Sequence, residues 1–332
     1  MIEIINPAND PYFNLALEEY AVKNLPASDN YFILWQNRPA VIIGRNQNTI
    51  EEINQDYIKE KNITVARRMS GGGAVYHDYG NLNFTLVVNE NNDFANFAKF
   101  TRPVINTLKR LGIEAENNGR NDISIEGKKF SGNAQFKYKN RLMHHGTILF
   151  DTSIEEMVHA LNPGAEKISS KGIKSVRSRV TNISEHLSVP VSIEKFKQIL
   201  TEEVLREESN SAAYNLSEYD MQAVNQSRDN KYSSWEWIYG ISPAYNIQKK
   251  QAFSWGNIDI RLEVKRGLIS GCRIFGDYFA SREISDLENV LIGIVYREED
   301  VQDRLAEIDI RSFFPHIEEQ EFIELLCKGN NN

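Results

Sequence analysis

The run from Arg67 to Asp78 reads RRMSGGGAVYHD, placing two guanidiniums directly before three glycines, an aromatic ring, an imidazole and a carboxylate. Consecutive glycines lose more backbone entropy on folding than any other residues, so their position calls for a reason. One reason is an anion-binding nest, in which the backbone N–H groups of Gly71, Gly72 and Gly73 come close to a phosphate or carboxylate. Arginine is the side chain best matched to such an anion. The other is a flexible turn with two surface arginines, and this stretch alone does not separate the two. Neither G-x-G-x-x-G nor G-x-x-x-x-G-K-[ST] fits SGGGAVYH, so both common nucleotide fingerprints fail.

A second stretch, GRNDISIEGKKFSGNA over 119–134, sets Asn121 and Asp122 at a strand start and Lys128 and Lys129 after Gly127. Side chains alternate along a strand, so only one of the two lysines faces any one site. Asp122 and Lys129 reach a common pocket if the chain turns at Gly127. Asp122 suits a metal or a ribose, and a lysine suits a phosphate and a carboxylate together; a hairpin with solvated lysines fits the same letters. In MHHGTILFD, His144 and His145 should face opposite sides of a strand, one packed and one outward. With no H-E-x-x-H and no cysteine nearby, zinc has little support. KGIKSVRSRVTN, over 171–182, is basic and aperiodic and reads as a loop, either solvated or clamped on an anion.

Apolar residues at helical spacing predict helices over 12–24, 51–62, 93–113 and 191–206, with strands over YFILWQ, AVIIGRN, ITVARR and on both sides of Gly80-Asn81. Strands clustered between a few long helices argue for an α+β fold. GISPAYNIQKKQ reads as a linker. FSWGNIDIRLEVKRGLISGCRIFGDY then predicts a hairpin around Arg266-Gly267, and DLENVLIGIVYREEDVQDRLAEIDI a helical segment. This divides the chain into domains over 1–245 and 246–332.

With 332 residues, 41% hydrophobic and 10% aromatic, the chain has ample material for a core. A net charge of −8 excludes a general nucleic-acid or membrane binder. Only Cys272 and Cys327 occur, which suits a reducing compartment. The N-terminal stretch lacks a basic segment followed by an apolar one, so no secretory signal is read. No apolar run approaches a membrane span, and a cytoplasmic protein is expected. A G-x-S-x-G elbow is absent and both cysteines fall late, so nucleophilic catalysis has no foothold. Electrostatics around a phosphate remain.

In order, FNLALEEY, AVIIGRNQN, RRMSGGGAVYHDYGNLNFT, GRNDISIEGKKFSGNA, HHGTILFD and KGIKSVRSRVTN resemble the lipoate–protein ligases, and SSWEWIYGISPAY with FSWGNIDIRLEV resembles their domain junction and C-terminal domain. The resemblance implies an α+β catalytic domain of the class II aminoacyl-tRNA synthetase and biotin protein ligase type, with a small α/β accessory domain. It implies ATP and Mg²⁺-dependent conversion of lipoate to lipoyl-AMP with release of pyrophosphate. Transfer to a lysine of 2-oxoacid dehydrogenase E2 lipoyl domains or of glycine-cleavage H protein follows, by a monomer. By resemblance Lys129 touches both lipoate and the α-phosphate and is the catalytic residue. Arg68, Gly73, Ala74, Val75, Tyr76, Asn121 and Asp122 match the nucleotide site, Asp122 also the metal. Gly72, His77 and His145 match the lipoate site, and Lys171, Gly172, Ser175, Val176 and Arg177 the adenylate loop. A transferase that consumes preformed lipoyl-AMP, or a lipoate-binding protein without catalysis, is the alternative. A biotin ligase should carry a GRGR-type loop where this chain has GRNQN, and an acyl-cysteine transferase needs a cysteine that the catalytic domain lacks.

Overall fold

The computed structural model describes residues 1–89, 93–119, 121–161, 176–206, 212–239, 246–265 and 267–328. They form two compact units: Met1–Ile43, Ile50–Met69 and Ala74–Ile238 make the first; Gly44–Thr49, Ser70–Gly73 and Tyr239–Asn332 make the second.

In chain order the first unit contains β1 (Ile2–Ile5), α1 (Pro11–Lys23), β2 (Tyr31–Trp35), β3 (Ala40–Ile43), α2 (Thr49–Glu52, all but its first residue), α3 (Gln55–Glu60), β4 (Thr64–Arg67), β5 (Val75–His77), β6 (Asn81–Asn89) and α4 (Phe97–Arg110). It continues with β7 (Glu116–Asn118), β8 (Asp122–Ile125), β9 (Lys128–Tyr138), β10 (Arg141–Leu149), α5 (Ile154–Ala160), α6 (Ile193–Leu205), β11 (Ala212–Asn215), α7 (Glu218–Ser227) and α8 (Trp235–Ile238). Most strands form one sheet in the order β11-β1-β2-β6-β10-β9-β8-β7, while β4-β3-β5 forms a second.

The large sheet is covered on both faces, and strand alternation sorts its side chains. Ile33, Val87 and Met143 join α1 in one core. Their neighbours Phe32, Leu86 and Leu142 join Phe100 and Val104 of α4 and Phe196 of α6 in another. Burial on both faces explains why these strands read as continuous apolar runs. It also corrects the expectation for the paired histidines. They do face opposite sides, but both are buried, His144 at 0% and His145 at 7% exposure.

Local caps refine the helix boundaries. α1 starts at Asp10, whose side chain accepts from the Tyr12 N–H, with Pro11 supplying a preset φ. The single helix expected over 51–62 is broken, because the Asn54 side chain accepts from the Tyr57 N–H and begins α3 afresh.

In the second unit β12 (Ile247–Phe253), β13 (Gly256–Lys265) and β14 (Leu268–Gly276) form an antiparallel sheet, followed by α9 (Ile284–Leu291), α10 (Glu298–Leu305) and α11 (Glu319–Lys328). The linker expected through Gln251 is therefore in part an edge strand, since 247–253 pairs along β13. The charged letters QKKQ suit an edge, where lysine discourages further pairing. The helical segment expected over 286–310 is split by Gly293, which takes φ 87°. Ile258, Ile260 and Leu262 alternate into the core of this unit. On the opposite face of β13, Arg261 and Asp259 pair at 2.7 Å.

Candidate active site

The arginine pair divides its labour. Arg67 is a structural residue: its Nη2 donates to the Ile238 carbonyl at 2.7 Å, and its own carbonyl accepts from Trp237 Nε1 at 2.8 Å. Arg68 is buried where β4 ends, and its Nη1 donates to the Ile42 carbonyl at 3.1 Å. Burial lowers its pKa to about 10, partly offset by the Glu18 carboxylate, so it stays a cation at neutral pH.

Glu18 of α1, 2% exposed, is the hub of a buried network. Its Oε1 accepts from Thr85 Oγ1 on β6 at 2.6 Å and from His145 Nδ1 on β10 at 2.8 Å. Thr85 Oγ1 in turn accepts from Trp35 Nε1 at 2.9 Å. His77, on β5, lies edge-on to the Trp35 ring with centroids 5.9 Å apart. Its Nδ1 faces Asn37 Nδ2 at 2.9 Å. Burial, then Arg68 and His145, push its pKa down to about 3. Three strands and a helix thus gather one cation, one carboxylate and two imidazoles, and Trp35 of β2 and Thr85 of β6 join them. His144, on the other face of β10, is a packing residue stacked on Phe100 at 5.0 Å.

Across the turn at Gly127, which takes φ 75°, Lys129 folds back onto Asp122. The Nζ–Oδ1 separation is 2.8 Å, a contact of opposite charges and not an aligned hydrogen bond. Both side chains are partly exposed, 40% and 33%, so the pair adds little stability and can be exchanged for a ligand. A bulge between Ile123 and Ser124 shifts the register, setting Ser124 opposite Lys129 and Asp122 opposite Gly132. A Cβ on Gly132 would sit 3.0 Å from Lys129 Cε and Nζ, so this glycine makes room for the lysine stem. Asn121 Nδ2 donates to the Asn133 carbonyl at 2.7 Å, which ties the hairpin ends. The Gly132 N–H donates to Thr147 Oγ1 at 3.3 Å. Thr147 and His145 share one face of β10, about 7 Å apart along the strand.

Of the basic loop, Lys171, Gly172 and Ser175 lie outside the described residues. Val176 and Arg177 form a short turn, and the strand-like residues after it dock on Lys129: the Lys129 N–H donates to the Arg179 carbonyl at 2.8 Å, and the Thr181 N–H to the Lys129 carbonyl at 3.0 Å. Lys128, on the other side of β9, lines a cavity of about 380 Å³ with Arg177, Thr152, Asn182 and Glu185. A larger cavity of about 610 Å³ beside Trp35, Gln36 and Lys197 has neither Lys129 nor Arg68 in its wall.

Of the strand expected to line a nucleotide, Val75 packs into the core with α1, while Tyr76 is 3% exposed with its hydroxyl pKa raised by burial. The glycines divide as well. In the second unit a Cβ on Gly71 would fall 2.1 Å from the Tyr278 carbonyl oxygen, and Gly72 takes φ 88°, whereas a Cβ on Gly73 meets nothing within 4 Å. Gly71 is therefore required by close packing and Gly72 by a left-handed backbone. These constraints act on the triplet in addition to any approach of an anion.

Sequence reasoning overlooked Glu18, Trp35, Thr85 and Asn37. Glu18 does have a signal, an acidic residue amid the apolar letters of FNLALEEY. Asn37 reads as an ordinary turn residue.

Among the described residues no cluster of three or more His, Cys, Asp or Glu side chains is placed to hold a metal. Asp122 is thus in no such cluster among the described residues. That fits only Mg²⁺ held chiefly by nucleotide phosphates, its usual manner.

Residues 10–205 match the Lipoyl protein ligase A/B catalytic domain and residues 242–326 the Bacterial lipoate protein ligase C-terminus. Lipoate-protein ligase LplJ of Bacillus subtilis is 46% identical over 321 residues, covering 96% of this chain and 97% of that protein. The fold matches P. falciparum LipL1 in complex with lipoate at a TM-score of 0.80 and 24% identity, over 99% of this chain and 98% of that one. A lipoate-protein ligase A bound with ATP matches at a TM-score of 0.64 and 27% identity, over 73% of this chain and 98% of that one. On the extent of these matches, the chain belongs to the lipoate–protein ligase family.

Proposed function

We propose that this protein joins lipoate to acceptor proteins in two steps. A carboxylate oxygen of lipoate attacks the α-phosphorus of ATP and pyrophosphate leaves, giving lipoyl-AMP. A lysine ε-amine of the acceptor then attacks the acyl carbon; AMP leaves, the amide forms and the amine loses its proton. The observation that carries this reading is Lys129. It is a cation held at 2.8 Å by a carboxylate it can exchange, on a hairpin whose Gly132 N–H bonds Thr147 of β10, the strand that also carries the buried His145–Glu18 pair.

In this reading Lys129 lies between the lipoate carboxylate and the α-phosphate, two anions that must meet. Its attraction strengthens as charge builds on the pentavalent phosphorus, which lowers the barrier and not only the binding energy. Arg68, Gly73, Ala74, Val75, Tyr76, Asn121 and Asp122 bind the nucleotide, while Gly72, His77 and His145 receive lipoate. Lys171, Gly172, Ser175, Val176 and Arg177 close over the adenylate and exclude water. Asp122 would hold Mg²⁺, whose contribution is to neutralise phosphate charge. The acceptors are E2 lipoyl domains and H protein, the protein acts as a cytoplasmic monomer, and the domains are 1–245 and 246–332.

Purified protein mixed with lipoate, ATP, Mg²⁺ and an unmodified lipoyl domain tests this by acceptor mass. A lipoyl mass gain that needs ATP supports the ligase. A gain only from supplied lipoyl-AMP identifies a transferase without activation, and no gain from either defeats both. An acyl-cysteine route is disfavoured because Cys272 is buried, with its thiol pKa raised by burial. The double variant Cys272→Ser, Cys327→Ser is expected to keep full activity in the same assay, and loss of activity would restore that route.

A further inference from the structure

Behind His77 lies a chain of buried amides whose directions are not interchangeable. Asn14 Nδ2 faces the Gln36 carbonyl at 3.0 Å and the Ala8 carbonyl at 3.3 Å. Carbonyls only accept, so that atom is the NH₂ group and not the oxygen. The same Nδ2 lies 2.8 Å from the Asn37 side chain, which must therefore turn its oxygen towards it. Asn37, 0% exposed, is left with its NH₂ group facing His77 Nδ1 at 2.9 Å. Nδ1 must accept, and the single proton of the neutral ring sits on Nε2.

That Nε2 is buried and has no hydrogen-bond partner among the described residues. His144 provides a comparison within the same unit. The Ala95 N–H donates to Gln135 Oε1 at 2.7 Å, so the Gln135 NH₂ group faces His144 Nδ1, at 3.2 Å. The proton again belongs on Nε2, but here Asn133 Oδ1 accepts it at 3.3 Å. Two buried imidazoles are thus set in one tautomer by the same device; one is satisfied within the protein and one is not. An orphaned buried donor in an otherwise well-bonded network marks a place for a ligand acceptor. The charged or titratable groups acting on His77 are Arg68, where β4 ends, and His145 of β10, and the ring stays neutral at working pH. Beside the Arg68 cation, the fitting acceptor is an anionic or carbonyl oxygen.

We propose that Asn37, oriented by Asn14, is a positioning residue that locks His77 as the Nε2–H tautomer, and that this neutral donor binds an oxygen of the acyl substrate. The second half rests on the ligase reading above; the first does not. A donor that cannot change its charge serves the carboxylate of the acid and the carbonyl of the adenylate alike, so the acyl end stays gripped through both steps.

Long-range ¹H–¹⁵N spectra of the full-length protein test it, with the His77 signals assigned by their loss in His77→Gln. The expected apo spectrum shows His77 protonated at Nε2, and lipoate shifts that signal. An Nδ1–H ring in the apo protein overturns the lock. A lipoate-saturated protein with an unmoved signal overturns the ligand half. If lipoate does not bind at all, the ligase reading and the ligand half fall together, and the apo tautomer still decides the lock. Asn37→Asp, whose carboxylate would accept from Nδ1–H and reverse the tautomer, is expected to raise the KM for lipoate roughly tenfold, the scale of one buried hydrogen bond. The KM for ATP should stay unchanged. A folded Asn37→Asp with normal lipoate KM overturns the proposal, and the wild-type spectra decide it should that variant not fold.

Discussion

At the scale of single residues, the two adjacent lysines of GKKF have different work despite identical chemistry. Lys129 folds back over Asp122 and sits beside the Gly132 that makes room for it, whereas Lys128 lines a separate cavity with Arg177. Lys129→Ala is expected to lower the rate of lipoyl-AMP formation by about 10²–10³ or more, the scale for losing one aligned charge partner of a developing anion. Its thermal melting should be unchanged, because a half-exposed ion pair contributes little. Lys128→Ala should stay within a few-fold of wild type. Equal losses in the two variants, read as pyrophosphate release, would show that alternation does not assign their roles. The carboxylate of Glu18 is a different case, buried against His145 and electrostatically coupled to Arg68. Glu18→Gln removes the charge from a buried acceptor of two hydrogen bonds, from Thr85 and His145, and is expected to destabilise the fold by about 1–3 kcal/mol. A denaturant midpoint equal to wild type would contradict that.

At the scale of elements, the glycine triplet shows that one sequence feature answers to several constraints. Adding a methyl group at Gly71 puts it 2.1 Å from the Tyr278 carbonyl oxygen, and backbone on both sides leaves no easy relief. Gly71→Ala is expected to lower the melting temperature clearly, as an overpacked site costs about 1–3 kcal/mol. Gly73→Ala has open space and should melt as wild type, so any change in its KM for ATP would report on nucleotide approach alone. Similar melting of the two variants would remove the packing account of Gly71. The β8–β9 hairpin depends in the same way on local geometry: Gly127 supplies the left-handed turn and the bulge at Ile123/Ser124 re-aims Lys129.

At the scale of the whole molecule, the imidazoles tie stability to pH. His77 has its pKa lowered to about 3 from an ordinary 6.5, by burial first, and burial also holds His144 well below that value. Below pH about 6.5 the unfolded chain takes up protons that the folded protein refuses. Stability is therefore fully present above that pH and is lost as pH falls towards 3. Asp220 acts in the same sense at lower pH: burial raises its pKa, but hydrogen bonds from Tyr20, Ser217 and Tyr214 outweigh this and carry it to about 2. Urea midpoints are expected to drop between pH 6.5 and 4, and a His77→Gln, His144→Gln variant should lose much of that slope. A flat profile over this window in the wild type would refute the assignment of neutral buried rings.

The sequence by itself determined which residues could bear charge at the site and in what order. Local periodicity fixed most strands and the long helices, because alternation and 3.6-residue spacing are properties of neighbouring letters. The ordered motifs around Arg68, Lys129 and His145 also carried the family. Only the tertiary structure decided which charges meet. It showed that both His144 and His145 are buried, because a second layer covers the far face of β10. It brought Glu18 against His145 across a separation of 127 residues. It turned Asn37, by its letter a turn residue, into the partner that sets the proton of His77. It also made QKKQ an edge strand of β12, because pairing with β13 outweighs a weak local preference. Spacing along a chain fixes the direction of a side chain relative to its own strand; its partner is fixed by what the remaining chain packs against that face.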